Sequence, residues 1–453
     1  MKIDKALWLN CLFSAALACM TNVVVAQQTL TDEQRSAQKK DTADISAGAD
    51  LKLSAQDMKW WRDAKLGVFV HWGLYAIPAK GEWYMFNEKI PVANYAKLAD
   101  QFVPEHYDPN QWASVAKGAG AGYMVMTARH HDGFAMFDSQ ASYGQFDSGH
   151  AAAHTDFIGK YVKAVRDQGL KVGIYYSPMD WRFPGYFHPE SLTENAELMK
   201  QQAYGQIQEL MSHYGQVDIL WYDGGWLAHK GSDADAAWFW KPVELNTMVR
   251  KLQPKAVVSP RSGWQGDFNV EEGDQPISGP VREKAWEKTF SLNRTAWGFT
   301  ADNNTLPVSR VLRLLVDAVV RNGNALMNMS PDPDGVIPEG QIAVLNELGQ
   351  WTHKYGSSIY GTRPGPYQPV DGIYGSTCVG KTVYLHIVGW TNKELLIPPK
   401  PFRVLRAKNL TGGTVSIRQS DSGISITVAD KDRDPVDTII QFEVDQVVTS
   451  LAP

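Results

Sequence analysis

The sequence predicts an α/β protein, a (β/α)8-like barrel followed by a C-terminal β-sandwich, and two patterns predict it. Over residues 58–361, stretches of helical period alternate with short apolar runs, with glycine in the turns between them. From residue 362 onward the period falls to two, as in antiparallel strands with one wet face. A chain of 453 residues has room for about two or three such units.

The elements follow in order. Residues 66–70 read as a first buried strand. A helix-like stretch around Trp112, Val115 and Ala116 leads to a second at 123–127. Helical 157–166 leads to 171–175, helical 194–214 to 217–221, helical 243–252 to 256–258, and helical 311–320 to 325–328. At least six helix–turn–strand units over about 300 residues fit a closed barrel better than an open sheet. The sequence contains no glycine-rich dinucleotide fingerprint, which weakens a Rossmann assignment. In the last third, residues 382–388, 402–405, 415–417, 424–428 and 438–444 alternate, separated by turns such as Thr411-Gly412-Gly413.

The start of the chain has the pattern of an export signal. Lys2 and Lys5 precede an apolar run, and Val24-Val25-Ala26 supplies small residues at a cleavage point. Residues 1–26 are therefore expected to be a signal peptide that directs the protein to the periplasm or outside the cell. Cys19 behind Ala16-Leu17-Ala18 allows a lipoprotein signal as the alternative. The run is too short for a membrane span. Residues 27–57 are polar and aperiodic, a linker. With Cys11 and Cys19 in the signal, the mature chain keeps Cys378, which excludes a disulfide framework and a cysteine zinc site. A net charge of -5 gives no basic footprint for nucleic acid. Nothing in the sequence sets the oligomeric state. The chain has 16 Trp and 18 Tyr, rings that stack on the apolar faces of sugars or fill a large core.

In a β/α barrel, reacting groups sit where strands end at the carboxyl face. His71-Trp72-Gly73 follows the first strand, Arg129-His130-His131-Asp132-Gly133 the second, and Tyr175-Tyr176 with Asp180-Trp181 the third. Tyr222-Asp223-Gly224-Gly225 follows the fourth and Arg261 the fifth. Each has an ordinary explanation, a turn aspartate or a satisfied core histidine. Their coincidence at one barrel end points to a site. Two carboxylates suffice to hydrolyse a glycosidic bond, one attacking the anomeric carbon and one protonating the leaving oxygen. Asp223 is the nucleophile candidate, fixed by the strand before it. Asp267, Glu271, Glu272, Asp274, Glu283 and Glu287 all remain open as the acid/base.

Four segments, Phe69-Val70-His71-Trp72-Gly73, Gly81-Glu82-Trp83-Tyr84, Ala128-Arg129-His130-His131-Asp132-Gly133-Phe134 and Ile219-Leu220-Trp221-Tyr222-Asp223-Gly224-Gly225, resemble glycoside hydrolase family 29, the α-L-fucosidases. Trp297-Gly298-Phe299 and Asn328-Met329-Ser330-Pro331 extend the likeness, in motif order, to about residue 360. The resemblance implies an irregular barrel followed by a β-sandwich, and a retaining exo-glycosidase acting on fucosylated glycans without cofactor or metal. It carries the nucleophile onto Asp223 and sugar contacts onto His71, Glu82, Trp83, His130, His131, Tyr175, Trp221 and Arg261. Trp297 falls at an aromatic position facing the sugar's methyl group. The segment Asp267-Phe268-Asn269-Val270-Glu271-Glu272 places the acid/base on Glu272, with Glu271 one residue away. Ser262 stands where Trp is common, and Arg129 where Lys is usual.

Fucose offers three hydroxyls and one methyl. Histidines, Glu82 and Arg261 suit the hydroxyls, and Trp297 the methyl. His130 and His131 are adjacent, so in an extended segment their side chains are expected to diverge, which disfavours a shared metal. A sugar-binding protein without activity, a metal-dependent hydrolase and an α-L-galactosidase are the competing readings. The barrel motifs look closer to the broadly acting subgroup than to the one restricted to branched α-1,3/4 linkages.

Overall fold

The computed structural model describes residues 48–451 other than Asn303. The signal-peptide expectation for residues 1–26 lies outside the described residues. Eight parallel strands form one sheet: β1 (Leu66–Val70), β2 (Tyr123–Arg129), β3 (Lys171–Tyr176), β4 (Ile219–Tyr222), β5 (Val257–Val258), β6 (Asn269–Glu272), β7 (Trp286–Ser291) and β8 (Gly323–Met329). Their order is β5-β4-β3-β2-β1-β8-β7-β6, so β1 pairs with both β2 and β8 as in a barrel. Helices cover the strands from outside, at Pro109–Gly118, Phe157–Asp167, Thr193–His213, Pro242–Leu252, Val308–Val319 and Glu339–Tyr355.

The sheet alternation divides the core in two. Val68, Val70, Met124, Met126, Ile174 and Leu220 face the helices. Phe69, Tyr123, Val125, Tyr175, Ile219, Trp221 and Leu326 fill the barrel interior. Gly67 belongs to this packing, since a Cβ there would stand 2.2 Å from the Tyr123 ring.

β6 and β7 are strands that the apolar runs did not reveal. Among the described residues no helix joins β5 to β6 or β6 to β7, so the helix–strand rhythm is lost over that segment. Among the described residues no ladder joins β5 to β6; Asp267 bridges them instead. Its backbone N–H donates to Val258 O at 2.8 Å, and its carboxylate accepts from the N–H of Val258 at 2.8 Å and from Arg250 at 2.6 Å. The same carboxylate holds the N–H of Leu53 at 2.9 Å, while Trp264 Nε1 donates to Gly48 O at 3.1 Å. The stretch from Gly48 to Leu53, expected to be free linker, is thus tied to the loop that carries Arg261.

Beyond the barrel, β9 (Arg363–Pro364), β10 (Tyr374–Val379), β11 (Thr382–Ile387), β12 (Glu394–Ile397), β13 (Val404–Asn409), β14 (Val415–Ser420), β15 (Gly423–Val428) and β16 (Thr438–Val444) build a sandwich. A five-stranded sheet, β13-β16-β11-β10-β9, packs on a three-stranded one, β12-β15-β14. Leu385, Ile440 and Phe442 meet Ile397, Ile424 and Ile426 between them. Tyr384 and Ile439, on the other face of the larger sheet, join the barrel's helical core. Arg363 to Asp63 at 2.8 Å adds an ion pair between the two units. No helix among the described residues is long and apolar enough to cross a membrane.

Candidate active site

The inward positions of each strand run from apolar to polar toward the carboxyl end. Phe69 is followed two residues later by His71, Tyr175 by Ser177, Trp221 by Asp223, Val270 by Glu272 and Leu326 by Asn328. Period-two alternation therefore sets one polar ring on top of the apolar barrel core.

Asp223 is nearly buried, and both of its oxygens are engaged. Oδ1 accepts from Arg261 Nη1 at 2.7 Å, and Oδ2 from the Tyr175 hydroxyl at 2.8 Å, with His131 Nε2 at 3.6 Å. The same Arg261 nitrogen lies 2.8 Å from Oε1 of Glu272. Two oxygens on one nitrogen are separated by no more than the two bonds laid end to end, so the carboxyl groups stand close together, as a retaining mechanism requires. Gly224 follows with φ +72°. The strand-end Asp-Gly is therefore both a turn and a site, because glycine takes the left-handed conformation that turns the chain beside the carboxylate.

Three histidines face this pair as neutral rings. Burial lowers His71 to about 4 and holds His130 and His131 well below the usual imidazole range; the neighbouring imidazoles add to the effect on the last two. The Asn328 amide fixes the His71 tautomer. Its nitrogen donates to Trp297 O at 2.7 Å and Ser291 Oγ at 3.0 Å, so its oxygen, 2.8 Å from His71 Nδ1, must accept. His71 Nδ1 then carries the proton, and Nε2 is left as an acceptor. His131 Nδ1 pairs with Ser177 Oγ at 2.6 Å. His130 stacks on Tyr175 with ring centres 5.6 Å apart, and its Nδ1 is buried with no hydrogen-bonding partner among the described residues.

The expected divergence of His130 and His131 is corrected by the structure. Their ring centres lie 4.0 Å apart. β2 ends at Arg129, and the chain turns where the N–H of Gly133 donates to His130 O at 3.0 Å, so strand alternation does not reach these residues. Ligand atoms of His130, His131 and Asp223 lie within 4.8 Å of one another, a spacing that a metal ion could use. Arg261 and Tyr175 already hold the Asp223 oxygens, however, and a cation would compete with that guanidinium.

The other expected contacts assemble around this centre. Glu82 is buried, accepts from the N–H of Gly298 at 2.7 Å, and is pushed upward in pKa by its burial. It joins the loop after β1 to the Trp297 loop. Trp297 is half-buried, its ring centre 5.2 Å from that of His71. Trp83 is half-buried against His131 at 5.3 Å and Trp181 at 5.1 Å. Trp221 is fully buried and forms a floor. It stacks on Tyr175 at 5.9 Å, with the Arg261 guanidinium 5.4 Å above its face.

The competing carboxylates lie elsewhere. Glu271 points to the opposite side of β6, paired with Lys288 at 2.7 Å and with Arg282. Asp267 bridges β5 and β6, and Glu283 is exposed. Glu287 sits second in β7, at the amino end of the strand, inside the barrel. Asp274 lies past the end of β6, its carbonyl taken by Arg310. Arg129 is fully buried, bonded to Asp180 at 2.5 Å and to the Ser177 carbonyl at 2.8 Å, and braces the floor under His131. Ser177 is a site residue that the sequence did not single out, and Asn328 stood only within the motif Asn328-Met329-Ser330-Pro331, without a role. Their signal was the same two-residue step beyond an inward apolar side chain that exposed Asp223.

Comparisons with known proteins bear on the fold and the family. The α-L-fucosidase family model matches residues 31–357. The tissue α-L-fucosidase of Mus musculus is 29% identical over 369 residues, 74% of this chain and 79% of that protein. The tissue α-L-fucosidase of Homo sapiens is 28% identical over 385 residues, 77% of this chain and 79% of that protein. Among solved structures, α-L-fucosidase isoenzyme 1 from Paenibacillus thiaminolyticus superposes with a TM-score of 0.75 at 32% identity, covering 86% of this chain and 99% of that one. An α-L-fucosidase from Bacteroides thetaiotaomicron, trapped as a covalent intermediate with 2-fluoro-fucosyl fluoride, superposes with a TM-score of 0.77 at 26% identity, covering 87% and 97%. A family match that spans well over half the chain, on a barrel whose strand ends converge on paired carboxylates, means that the chain belongs to the α-L-fucosidase family.

Proposed function

We infer that this protein is a retaining, exo-acting α-L-fucosidase that hydrolyses terminal α-L-fucose from fucosylated glycans or glycoconjugates through a covalent glycosyl-enzyme intermediate. The observation that carries the inference is the single Arg261 nitrogen 2.7 Å from Asp223 and 2.8 Å from Glu272. In this assignment Asp223 attacks the anomeric carbon while Glu272 gives its proton to the departing oxygen. Glu272 then takes a proton from water, which displaces Asp223 from the same face that the leaving group vacated. Arg261 suits both halves of the cycle. While Asp223 is anionic, the guanidinium charge is shared between the two carboxyl groups. Esterification neutralises Asp223 and leaves that charge to Glu272, which favours the anionic base needed in the second step.

His71, His130, His131 and Glu82 are assigned to the fucose hydroxyls, and Trp297 to the methyl group. The acceptor Nε2 of His71 and the unpaired Nδ1 of His130 support the assignment, since a sugar hydroxyl can both donate and accept. The leader pattern at residues 1–26 supports a periplasmic or secreted enzyme. Release of aryl groups from matched α-L-fucosides and α-L-galactosides tests the activity. The fucoside should react with the higher kcat/KM, because its C6 is a methyl that meets indole. Faster release from the galactoside would overturn the substrate assignment.

A further inference from the structure

Glu287 is a carboxylate inside the barrel, 1% exposed, with Val270 and Asn324 beside it in the sheet. Nothing in the hydrolytic steps uses it. Burying a carboxyl group costs stability that a leucine would not cost, and such groups persist where their hydrogen bonds specify a geometry. Both Glu287 oxygens are engaged by donors. Oε1 accepts from the Tyr123 hydroxyl at 2.5 Å, and Oε2 from Trp221 Nε1 at 3.0 Å.

Trp221 connects this carboxylate to the reacting pair. Its indole lies under the Arg261 guanidinium at 5.4 Å and stacks within 14° of parallel on Tyr175. Arg261 and Tyr175 are the two donors on the Asp223 oxygens. The tilt of one indole therefore sets the seat of both groups that hold Asp223, and of the nitrogen that also holds Glu272. Glu287 fixes that tilt from below.

We propose that Glu287 is a positioning residue for the Asp223–Arg261–Glu272 arrangement and acts through the indole of Trp221; this rests on Asp223 and Glu272 being the reacting carboxyl groups. Tyr123 on β2 is the titratable group that faces Glu287, and Val270 and Asn324 flank it in the sheet. Burial pushes Glu287 up to about 7. Only the ionised form accepts from Trp221 and Tyr123 together, so the indole is held most firmly above neutrality.

The test compares Glu287→Leu with Glu287→Gln in the full-length enzyme, with kcat, KM and the pH profile of kcat/KM measured on an aryl α-L-fucoside. The leucine variant should lose kcat by about tenfold or more with little change in KM, since small displacements of reacting groups are costly. Both limbs of its pH profile should move, because the Arg261 charge no longer faces the two carboxyl groups as before. The glutamine variant should stay within about threefold of the native kcat, since its amide oxygen still accepts from Trp221 while Tyr123 turns to accept from its NH2. In a Trp221→Phe background the leucine change should cost less than about twofold more, the non-additivity expected of residues that act in series. A folded Glu287→Leu enzyme with native kcat and pH profile would overturn the proposal. If that variant does not fold, a glutamine variant about a hundredfold slower would overturn it. Asp223→Asn, assayed alongside, tests the assignment of the carboxyl groups separately: activity there sinks that assignment, whatever the Glu287 variants do.

Discussion

Asp223 and Glu272 accept from the same nitrogen, Nη1 of Arg261, at 2.7 Å and 2.8 Å. This shared contact fixes the gap in which an anomeric carbon must fit. Lysine reproduces it poorly, because its ammonium turns freely on a flexible stem, whereas the two N–H groups of Nη1 point at a set angle in a rigid plane. Arg261→Lys should therefore lower kcat by about a hundredfold with a smaller effect on KM, measured on an aryl α-L-fucoside. A variant within about threefold of native would show that the bridge is not needed in turnover.

Asp223→Asn should nearly abolish turnover while leaving circular dichroism unchanged. An amide is a very poor nucleophile, and loss of a covalent nucleophile costs several orders of magnitude. Residual activity above about a tenth of native would remove Asp223 from that role. Proton NMR of the first product formed by the native enzyme gives an independent check. Two displacements return the α-anomer, and a β-anomer appearing first would exclude the covalent path.

Glu272 and Glu271 differ in face, and their variants should differ in kind. Glu272→Ala should fail on natural fucosides, keep much of its glycosylation rate on activated ones, and regain turnover with azide as β-fucosyl azide. Glu271→Ala should keep activity but lose about 1–3 kcal/mol of stability, because Lys288, 1% exposed in its side chain, is left without that carboxylate. Azide rescue in the Glu271 variant would reverse the two roles.

The parts of the barrel that were legible in the sequence are those whose strands are apolar on both faces. Leu66–Val70 is buried at every position, as a parallel strand between helices and barrel core should be. Asn269–Glu272 and Trp286–Ser291 were not legible, since Glu272 is turned inward to the site and Glu271 and Lys288 pair across the outer face. The chemistry that makes these strands functional removes the hydrophobic signal that would reveal them. The histidine pair failed for a different reason: alternation was extended past Arg129 into a turn. Asp267 was a plausible acid, and its bond to Leu53 depends on contacts that no local pattern records.

The proximity of His130, His131 and Asp223 leads to an inhibition test. Their imidazoles are neutral at pH 7, the form that binds metals. Dialysis against EDTA should leave the activity unchanged, because Arg261 and Tyr175 already supply the donors that Asp223 needs. Added Zn2+ should inhibit competitively with the fucoside and be reversed by EDTA. Loss of activity in EDTA that zinc restores would instead favour a metal-dependent hydrolase.

Glu287 also makes a prediction about stability that does not depend on catalysis. Its pKa is raised from 4.5 to about 7 in the folded protein, chiefly by burial. A raised folded value means that the folded state holds a proton which the unfolded chain releases between those limits. The stabilisation is fully present below about 4.5 and is lost as pH rises to about 7. Glu287→Gln has no proton to lose there, so its stability relative to the native enzyme should rise between pH 5 and pH 8 by about 2–3 kcal/mol. Asp132, raised to about 6, and His71, lowered to about 4, titrate in both proteins and cancel in the comparison. Urea unfolding of the two proteins at pH 5 and pH 8 measures the difference. A gap that stays constant with pH would show that Glu287 does not change its protonation on folding in this window.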